Sequence, residues 1–366
     1  MRVLHVHKDF EPNRGGGGTA RHIHGLASAL SSRGCVVRVV APEPEAVAQP
    51  YASYPGMGLR IVEHLRWADV VHVHGARSTY AVSAALLSHV LGKPFFYTPH
   101  AYYEGRSVPN AAAKWLWDKT AERFLLSKAS VTILLTEYWR SFLRERGCDI
   151  ARTVIIPNCV SAGDVATEVE GDVPRLSGAP AILSVGRLDP VKRGKDVIQA
   201  IARPELASAH FHVVGRGSDL AALQALANEL RVSDRVIFHG FVSDADVARM
   251  VRGSDVFVLA SEQEGLPTVL LEMLMAGLPV VCTRIPGNDA IMEVAGLDTS
   301  YEVGDVAGLS AQLLRAAGSA VPVAAIGALR RAFTWEERAL SVLELYSHAL
   351  ARAAWLGLAA SVPRRD

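Results

Sequence analysis

Glu264 and Glu272 stand eight residues apart in a stretch that reads Ser261-Glu262-Gln263-Glu264-Gly265-Leu266-Pro267-Thr268-Val269-Leu270-Leu271-Glu272 and leads to the apolar run Leu278-Pro279-Val280-Val281. The first carboxylate falls on a Gly-Pro loop, and the second is expected two turns into the helix that this loop opens. A helix advances about 1.5 Å per residue, so the pair would bracket something the size of a sugar joined to a phosphate. The loop follows an apolar strand, Asp255 to Leu259, and so lies at a strand's carboxyl end, where open α/β sheets bind ligands. There the free N–H groups and positive end of the helix face an anion. A solvated helix face would produce the same spacing, so the pair gains meaning only in company.

That company is spread along the chain. Arg14-Gly15-Gly16-Gly17-Gly18-Thr19-Ala20 follows the first strand and opens a helix, as a turn that lets backbone approach a phosphate would. It misses the dinucleotide fingerprint, because Arg21 stands where the third glycine belongs, and this disfavours hydride transfer. A second strand end reads Gly186-Arg187-Leu188-Asp189-Pro190-Val191-Lys192-Arg193-Gly194-Lys195. Cations on such a loop suit a diphosphate, Arg as a fork of donors and Lys as a point charge. His100, in Thr98-Pro99-His100, follows a strand and is expected at the edge of a cleft rather than in the core, within reach of a sugar hydroxyl. The pairs His5/His7 and His72/His74 alternate along strands and are expected to be hydrogen-bonded structural residues rather than metal ligands. Asp244-Ala245-Asp246 has the form of a metal-binding Asp-x-Asp but starts a helix after Ser243, where capping explains it. No catalytic metal is expected.

Strands that place these loops alternate with helical patterns from end to end, which argues for parallel βαβ units. In the first half strands are predicted at Val3–His7, Val36–Val40, Val70–His74, Pro94–Tyr97 and Ser130–Leu134, with helices over Thr19–Arg33 and Thr79–Leu91. The second half restarts the rhythm at Ala181–Val185, Phe211–Val214, Val236–Phe238, Val256–Leu259 and Val280–Cys282. At 366 residues the chain is longer than one core sustains. Two doubly wound domains are expected, with a Gly-, Pro- and acid-rich linker over Ser161–Pro180 that can act as a hinge. A last helix is predicted from Trp335 to about Leu350.

Composition narrows the class. Half the residues are hydrophobic, a fifth are charged, and the net charge of +1 gives no reason to expect nucleic acid. Four cysteines lie far apart without CxxC spacing, consistent with a reducing cytoplasm, and no apolar run is long enough to span a bilayer. Between Lys114 and Arg152, eight basic residues mingle with Trp115, Trp117, Phe124, Tyr138, Trp139 and Phe142. Such segments can lie on an anionic membrane surface, and core-facing helices produce the same pattern.

In their order, these residues resemble the retaining GT-B glycosyltransferases of glycosyltransferase family 4. The resemblance runs through Gly17-Gly18, His100, Gly186-Arg187-Leu188…Lys192, Gly215-Arg216-Gly217 and Glu264…Glu272 to the closing Phe333-Thr334-Trp335-Glu336. It implies an α/β GT-B architecture of two Rossmann-like domains facing a central cleft: an acceptor-side domain over 1–165, a donor domain over 175–335, and a helix over 336–366 crossing back to the first. It also implies that Arg187 and Lys192 hold the donor diphosphate, with Gly17 and Gly18 closing on it. Glu264 would meet the donor sugar, Glu272 the ribose, and His100 the sugar near the reacting centre. Backbone of Leu266, Pro267, Thr268 and Val269 would line the sugar-phosphate site, beside the Gly215 turn, while His239 to Val242, with Phe241, would cradle the base. The loop carries one residue more than the usual pattern, so Arg193 competes with Lys192 for the second cation.

The implied activity is transfer of a hexose from a UDP- or GDP-sugar, with a lean to GDP-mannose, to a saccharide or lipid-linked acceptor for surface polysaccharide or glycolipid. No cofactor is implied, and membrane association would be peripheral, at the inner face. The rival readings are a sugar-nucleotide epimerase or hydrolase on the same scaffold, and a non-catalytic nucleotide-sugar binding protein.

Overall fold

The computed structural model describes residues 1–11, 17–47, 50–56, 58–102, 108–161 and 173–361. The chain divides into two compact units, Met1–Cys159 together with Trp335–Asp366, and Val160–Thr334. Most of the expected linker, 162–172, lies outside the described residues.

The first unit runs β1 (Arg2–Val6), α1 (Gly17–Ser31), β2 (Val36–Ala41), β3 (Ala52–Pro55), α2 (Arg60–Trp67), β4 (Val70–His74), α3 (Thr79–Val90), β5 (Phe95–Thr98), α4 (Val108–Trp117), α5 (Arg123–Lys128), β6 (Val131–Leu134), α6 (Glu137–Glu145) and β7 (Thr153–Ile155). A π-helical turn, Asp118–Glu122, joins α4 to α5. The strands form one sheet in the order β3-β2-β1-β4-β5-β6-β7, every pair parallel.

The second unit repeats the plan with β8 (Ala181–Val185), α7 (Gly194–Ile201), β9 (His210–Val214), α8 (Leu220–Glu229), β10 (Val236–Gly240), α9 (Asp244–Gly253), β11 (Val256–Leu259), α10 (Thr268–Met275), β12 (Val280–Thr283), α11 (Pro286–Ala295), β13 (Ser300–Tyr301), α12 (Val306–Ala317) and α13 (Val323–Phe333). Its parallel sheet is ordered β10-β9-β8-β11-β12-β13. Both sheets are doubly wound. Strand order reverses between β1 and β4 in one and between β8 and β11 in the other, which opens a ligand crevice at the carboxyl ends of those strands.

Helices cover both faces of each sheet, so the central strands of the second are apolar nearly throughout, whereas β1 and β4 of the first also bury His5, His72 and His74. Val256, Phe257 and Val258 of β11 and Ile182 and Leu183 of β8 are fully buried. Three strands that the sequence pattern did not suggest, β3, β7 and β13, are all sheet edges of two to four residues. An edge strand half open to water needs no continuous apolar run, and β3 even ends in proline, which an edge tolerates.

The last helix, α14 (Trp335–Ser361), runs longer than expected and completes the core of the first unit. Its Trp335 seats on α1 at Gly25, where an added Cβ would stand 2.3 Å from the indole ring. Tyr346, fully buried, reaches the sheet and shares a hydrogen bond of 2.6 Å with His72 Nδ1 on β4. Gly25→Ala is therefore expected to push Trp335 out of place and cost about 1–3 kcal/mol, as overpacking does. A melting curve in which this variant matches the wild type would show that α14 docks elsewhere.

Candidate active site

The crevice of the second unit is built by loops that are bonded to one another before any ligand is considered. After β8, the Gly186 amide donates to Val214 O, and the Leu188 amide donates to Arg216 O at 2.8 Å; after β9, the Gly215 amide donates to Gly240 O at 2.7 Å. This lacing depends on glycine. Gly215 has φ +135, and a Cβ there would lie 1.8 Å from Gly186 O; on Gly217 it would lie 2.1 Å from Leu188 O. The sequence Gly215-Arg216-Gly217 is thus a close approach between neighbouring loops, holding Gly186 to Leu188 in place.

Across the switch point, the loop between β11 and α10 carries Glu264. Its side chain is only 7% exposed, and Oε1 takes two donors, Lys192 Nζ at 2.5 Å and Ser261 Oγ at 2.6 Å. The Glu262 amide donates to Val191 O at 2.9 Å, so the two loops are joined through backbone as well as charge. Arg193 points elsewhere. It adopts φ +50 between the short 3-10 turn Pro190–Lys192 and α7, forks onto Asp196 at 2.7 and 3.1 Å, and reaches Glu262 at 3.4 Å. Of the two competing cations, Lys192 is the one beside Glu264. Arg187 is mostly exposed and pairs with Asp189 at 3.1 Å, leaving it accessible to an anion.

Leu266, Pro267, Thr268 and Val269 form the entry to α10, whose N-cap is Pro267. The helix begins at Thr268, so Glu272 stands little more than one turn inside it rather than two, and it is buried. Phe241, just past β10, is half exposed beneath the Arg216 guanidinium, 5.9 Å from the ring centroid. Asp244 and Asp246 lie in the first turn of α9, whose N-cap is Ser243; its hydroxyl accepts from the Asp246 amide.

Sequence reading missed the support under Glu264. A Cβ on Gly287 would come within 2.9 Å of Glu264 O and 3.1 Å of Gly265 O. Thr283 Oγ1 donates to Ser261 O at 2.5 Å, and Asn288 Nδ2 donates to Thr283 O at 2.8 Å. The signal was the Pro286-Gly287-Asn288 turn after an apolar strand, a punctuation that marks a tight approach.

In the first unit, Gly17 (φ +74) and Gly18 open α1 with no atom crowding them; residues 12–16 of the turn lie outside the described residues. His100 departs from expectation. It follows β5 with a left-handed backbone, φ +66, but it is 8% exposed, buried rather than at an edge. The reason is a set of imidazoles on the buried centre of the sheet. His5 Nδ1 lies 2.9 Å from His74 Nε2, and His74 Nδ1 lies 3.2 Å from His100 Nε2. His72 has both nitrogens engaged, by Tyr346 and by Thr98 Oγ1 at 2.8 Å. His22 meets Asn158 Oδ1 at 2.7 Å and sets its ring edge-on to His100. The segment after His100 is pinned as well, because Tyr102 and Tyr97 both donate to the buried Glu122 carboxyl, at 2.6 and 2.7 Å. Burial pushes that carboxyl's pKa up.

Two groups, His5/His72/His74 and His22/His74/His100, each bring three nitrogens within 4.8 Å of one another, the raw material of a metal site. Hydrogen bonds between rings already engage His5, His74 and His100. Desolvation lowers the pKa of every one of these rings, His5 to about 3 and His22 to about 4, so they are neutral near pH 7.

The fold has close counterparts among solved structures. Anabaena HepE in complex with UDP and glucose matches with a TM-score of 0.76 over 95% of this chain and 100% of that one, at 17% identity, and this places the two units in the GT-B class of α/β folds. Residues 16–163 match the description glycosyltransferase family 4, and residues 168–315 match glycosyl transferases group 1. The chain belongs to glycosyltransferase family 4. Among curated relatives, the 2-deoxystreptamine glucosyltransferase of Streptomyces kanamyceticus is 28% identical over 244 residues, 61% of each chain. The lipopolysaccharide core biosynthesis glycosyltransferase LpsE of Rhizobium meliloti is 31% identical over 156 residues, 43% of this chain and 45% of the relative. The chain thus spans less than two thirds of the length of these relatives.

Five buried neutral histidines set a pH dependence. Their folded pKa values lie below the unfolded value of about 6.5, so between the two the unfolded chain binds protons that the folded one does not. Stability is then full above about pH 6.5 and falls as pH drops toward 4. Thermal unfolding from pH 8 to 5 is expected to show a flat midpoint that turns down below about 6.5, less steeply in His72→Gln. A midpoint constant to pH 5 would mean that the rings are not held neutral.

Proposed function

We propose that this chain is a retaining glycosyltransferase that moves a hexose from a nucleotide diphosphate sugar to a saccharide or lipid-linked acceptor. The observation that carries the reading is Glu264 held by Lys192 and Ser261 at a switch point, next to an accessible Arg187. In this reading Arg187 and Lys192 bind the diphosphate, together with the first amides of α10 and the Gly17-Gly18 turn. Glu264, oriented by its two donors, meets a hydroxyl of the donor sugar. Glu272 holds the ribose, the backbone from His239 to Val242 holds the base, and His100 meets the sugar near the reacting carbon.

The chemistry is a front-face displacement. The bond from the anomeric carbon to the diphosphate oxygen breaks, the acceptor oxygen bonds to the same face, and the acceptor's proton passes to the departing diphosphate. No enzyme nucleophile is needed. What the protein supplies is stabilisation of negative charge on the leaving group by preorganised cations and helix amides, which also makes a metal unnecessary. A UDP-hexose heads the donor candidates, on the glucosyl and UDP descriptions of the relatives, with GDP-mannose the alternative. The LpsE likeness supports a surface-polysaccharide acceptor.

Among the described residues no helix is long and apolar enough to cross a membrane. A peripheral contact is supported by α4, where Trp115 and Leu116 are exposed beside Lys114 and Lys119, whereas Trp139 and Phe142 belong to the core. The four cysteines are unpaired, which fits a cytoplasmic site of action. Trp115→Ser is expected to reduce co-flotation with anionic vesicles, and equal flotation would remove α4 from the contact.

The main test is transfer assayed with a panel of nucleotide sugars and acceptors. Arg187→Ala and Glu264→Ala are each expected to lower turnover by about 10²–10³, the usual cost of losing one charge-stabilising group, with melting unchanged in Arg187→Ala and lowered in Glu264→Ala, where Lys192 and Ser261 lose their acceptor. Turnover is expected to persist in excess chelator. Wild-type rates in both variants would refute the assignment, and donor consumption without a glycosylated acceptor would favour the hydrolase.

A further inference from the structure

The mechanism above uses His100 but leaves His5 and His74 without a role, although both are buried in the middle of the sheet and bonded in series to His100. We propose that His74 and His5 are positioning residues that fix the tautomer of His100, keeping a proton on its Nδ1 so that this nitrogen is a donor. The inference rests on the reading that His100 meets the donor sugar, and it names the hydrogen-bonding role that His100 would have there.

A neutral imidazole has one N–H and one bare nitrogen. The contacts His5 Nδ1 to His74 Nε2 and His74 Nδ1 to His100 Nε2 each require one proton between their nitrogens. If His5 donates to His74, then His74 must donate to His100 and the remaining proton of His100 is on Nδ1. If the direction is reversed, all three rings reverse together, and His100 Nδ1 is bare. The tautomers therefore change as a unit, and the far end of the series decides between them.

That far end is His5 Nε2, a buried atom without a hydrogen-bond partner among the described residues. In the reversed direction it would carry an N–H with nothing to accept it, and orphaned buried donors are rarer in proteins than under-satisfied acceptors. The favoured arrangement leaves a bare nitrogen at His5 and an N–H at His100. Burial adds to this by disfavouring the charged form of each ring, and an imidazolium has no lone pair with which to accept. Because the series ends blind at His5, it cannot carry a net proton away from His100. His100 is thus a fixed hydrogen-bond donor, and the front-face reaction, which passes its proton to the diphosphate, does not ask it to be a base.

Imidazole 15N spectra of the full chain read this directly, without any glycosyl transfer. His5, His74 and His100 are each expected to show a protonated Nδ1 and a bare Nε2, the reverse of the form that a free histidine side chain prefers. Nε2–H at His100, an imidazolium at any of the three, or mixed tautomers among them would overturn the proposal. So would stoichiometric zinc that shifts the His74 and His100 signals and replaces the proton between them. His74→Asn keeps an N–H directed at His100 and is expected to retain the Nδ1–H signature, whereas His74→Leu is expected to lose it. Turnover in His74→Leu should fall about tenfold, the equivalent of one hydrogen bond, with the donor KM unchanged and most of the rate restored in His74→Asn. If His74→Leu does not fold, the wild-type spectrum and His74→Asn still decide. A protein that shows the expected tautomers but transfers no sugar would refute the transferase reading alone.

Discussion

A carboxylate removed from water must be held by donors, and at Glu264 this constraint organises the second unit. Burying an ion is costly unless its oxygens are paired. Lys192 and Ser261 meet that demand only because the loops after β8 and β11 sit side by side, which follows from the parallel pairing of those two strands. The glycines at 215, 217 and 287 then let backbone run against backbone where a side chain would force the loops apart. Cation, carboxylate and helix amides are fixed in advance of a ligand, and such preorganisation is what electrostatic stabilisation of a leaving group requires.

The first unit solves a different problem. Its two central strands, β1 and β4, carry three histidines into an interior that parallel strands normally fill with aliphatic side chains. Each polar ring has to find partners there, and the rings find them in one another, in Thr98 and in Tyr346. Neutrality is the condition for this arrangement, since a shared proton between two nitrogens needs one donor and one acceptor. The same burial that depresses the histidine pKa values therefore makes the network possible.

Much of this was legible in the sequence. The alternation of apolar runs and helical patterns located ten of the strands, and the order of the Gly-Arg-Leu loop and the two glutamates identified the crevice. The missing strands β3, β7 and β13 are edges, whose identity comes from their neighbours rather than from their own pattern. Lys192 and Arg193 could not be separated from spacing, because the choice depends on a left-handed residue at position 193 that turns one side chain to Glu264 and the other to Asp196. His100 was placed by its position after a strand, which is right for the backbone and silent about the buried imidazoles that it joins, His22 and His74 directly and His5 and His72 through His74. Their convergence involves β1, α1, β4 and the segment after β5, and long-range convergence has no local signature.

The seat of α14 also bears on biosynthesis. The core of the first unit includes Trp335, Ala339, Val342 and Tyr346, residues that the ribosome makes after the entire second unit. The nascent amino-terminal sheet must therefore wait, with the α1 groove at Gly25 and the imidazole of His72 uncovered, while some 175 intervening residues (Val160–Thr334) are synthesised and free to fold first. The order of completion is thus the inverse of the order of synthesis, and a chain stopped short of Trp335 would leave the ribosome with its later half finished and its earlier half open.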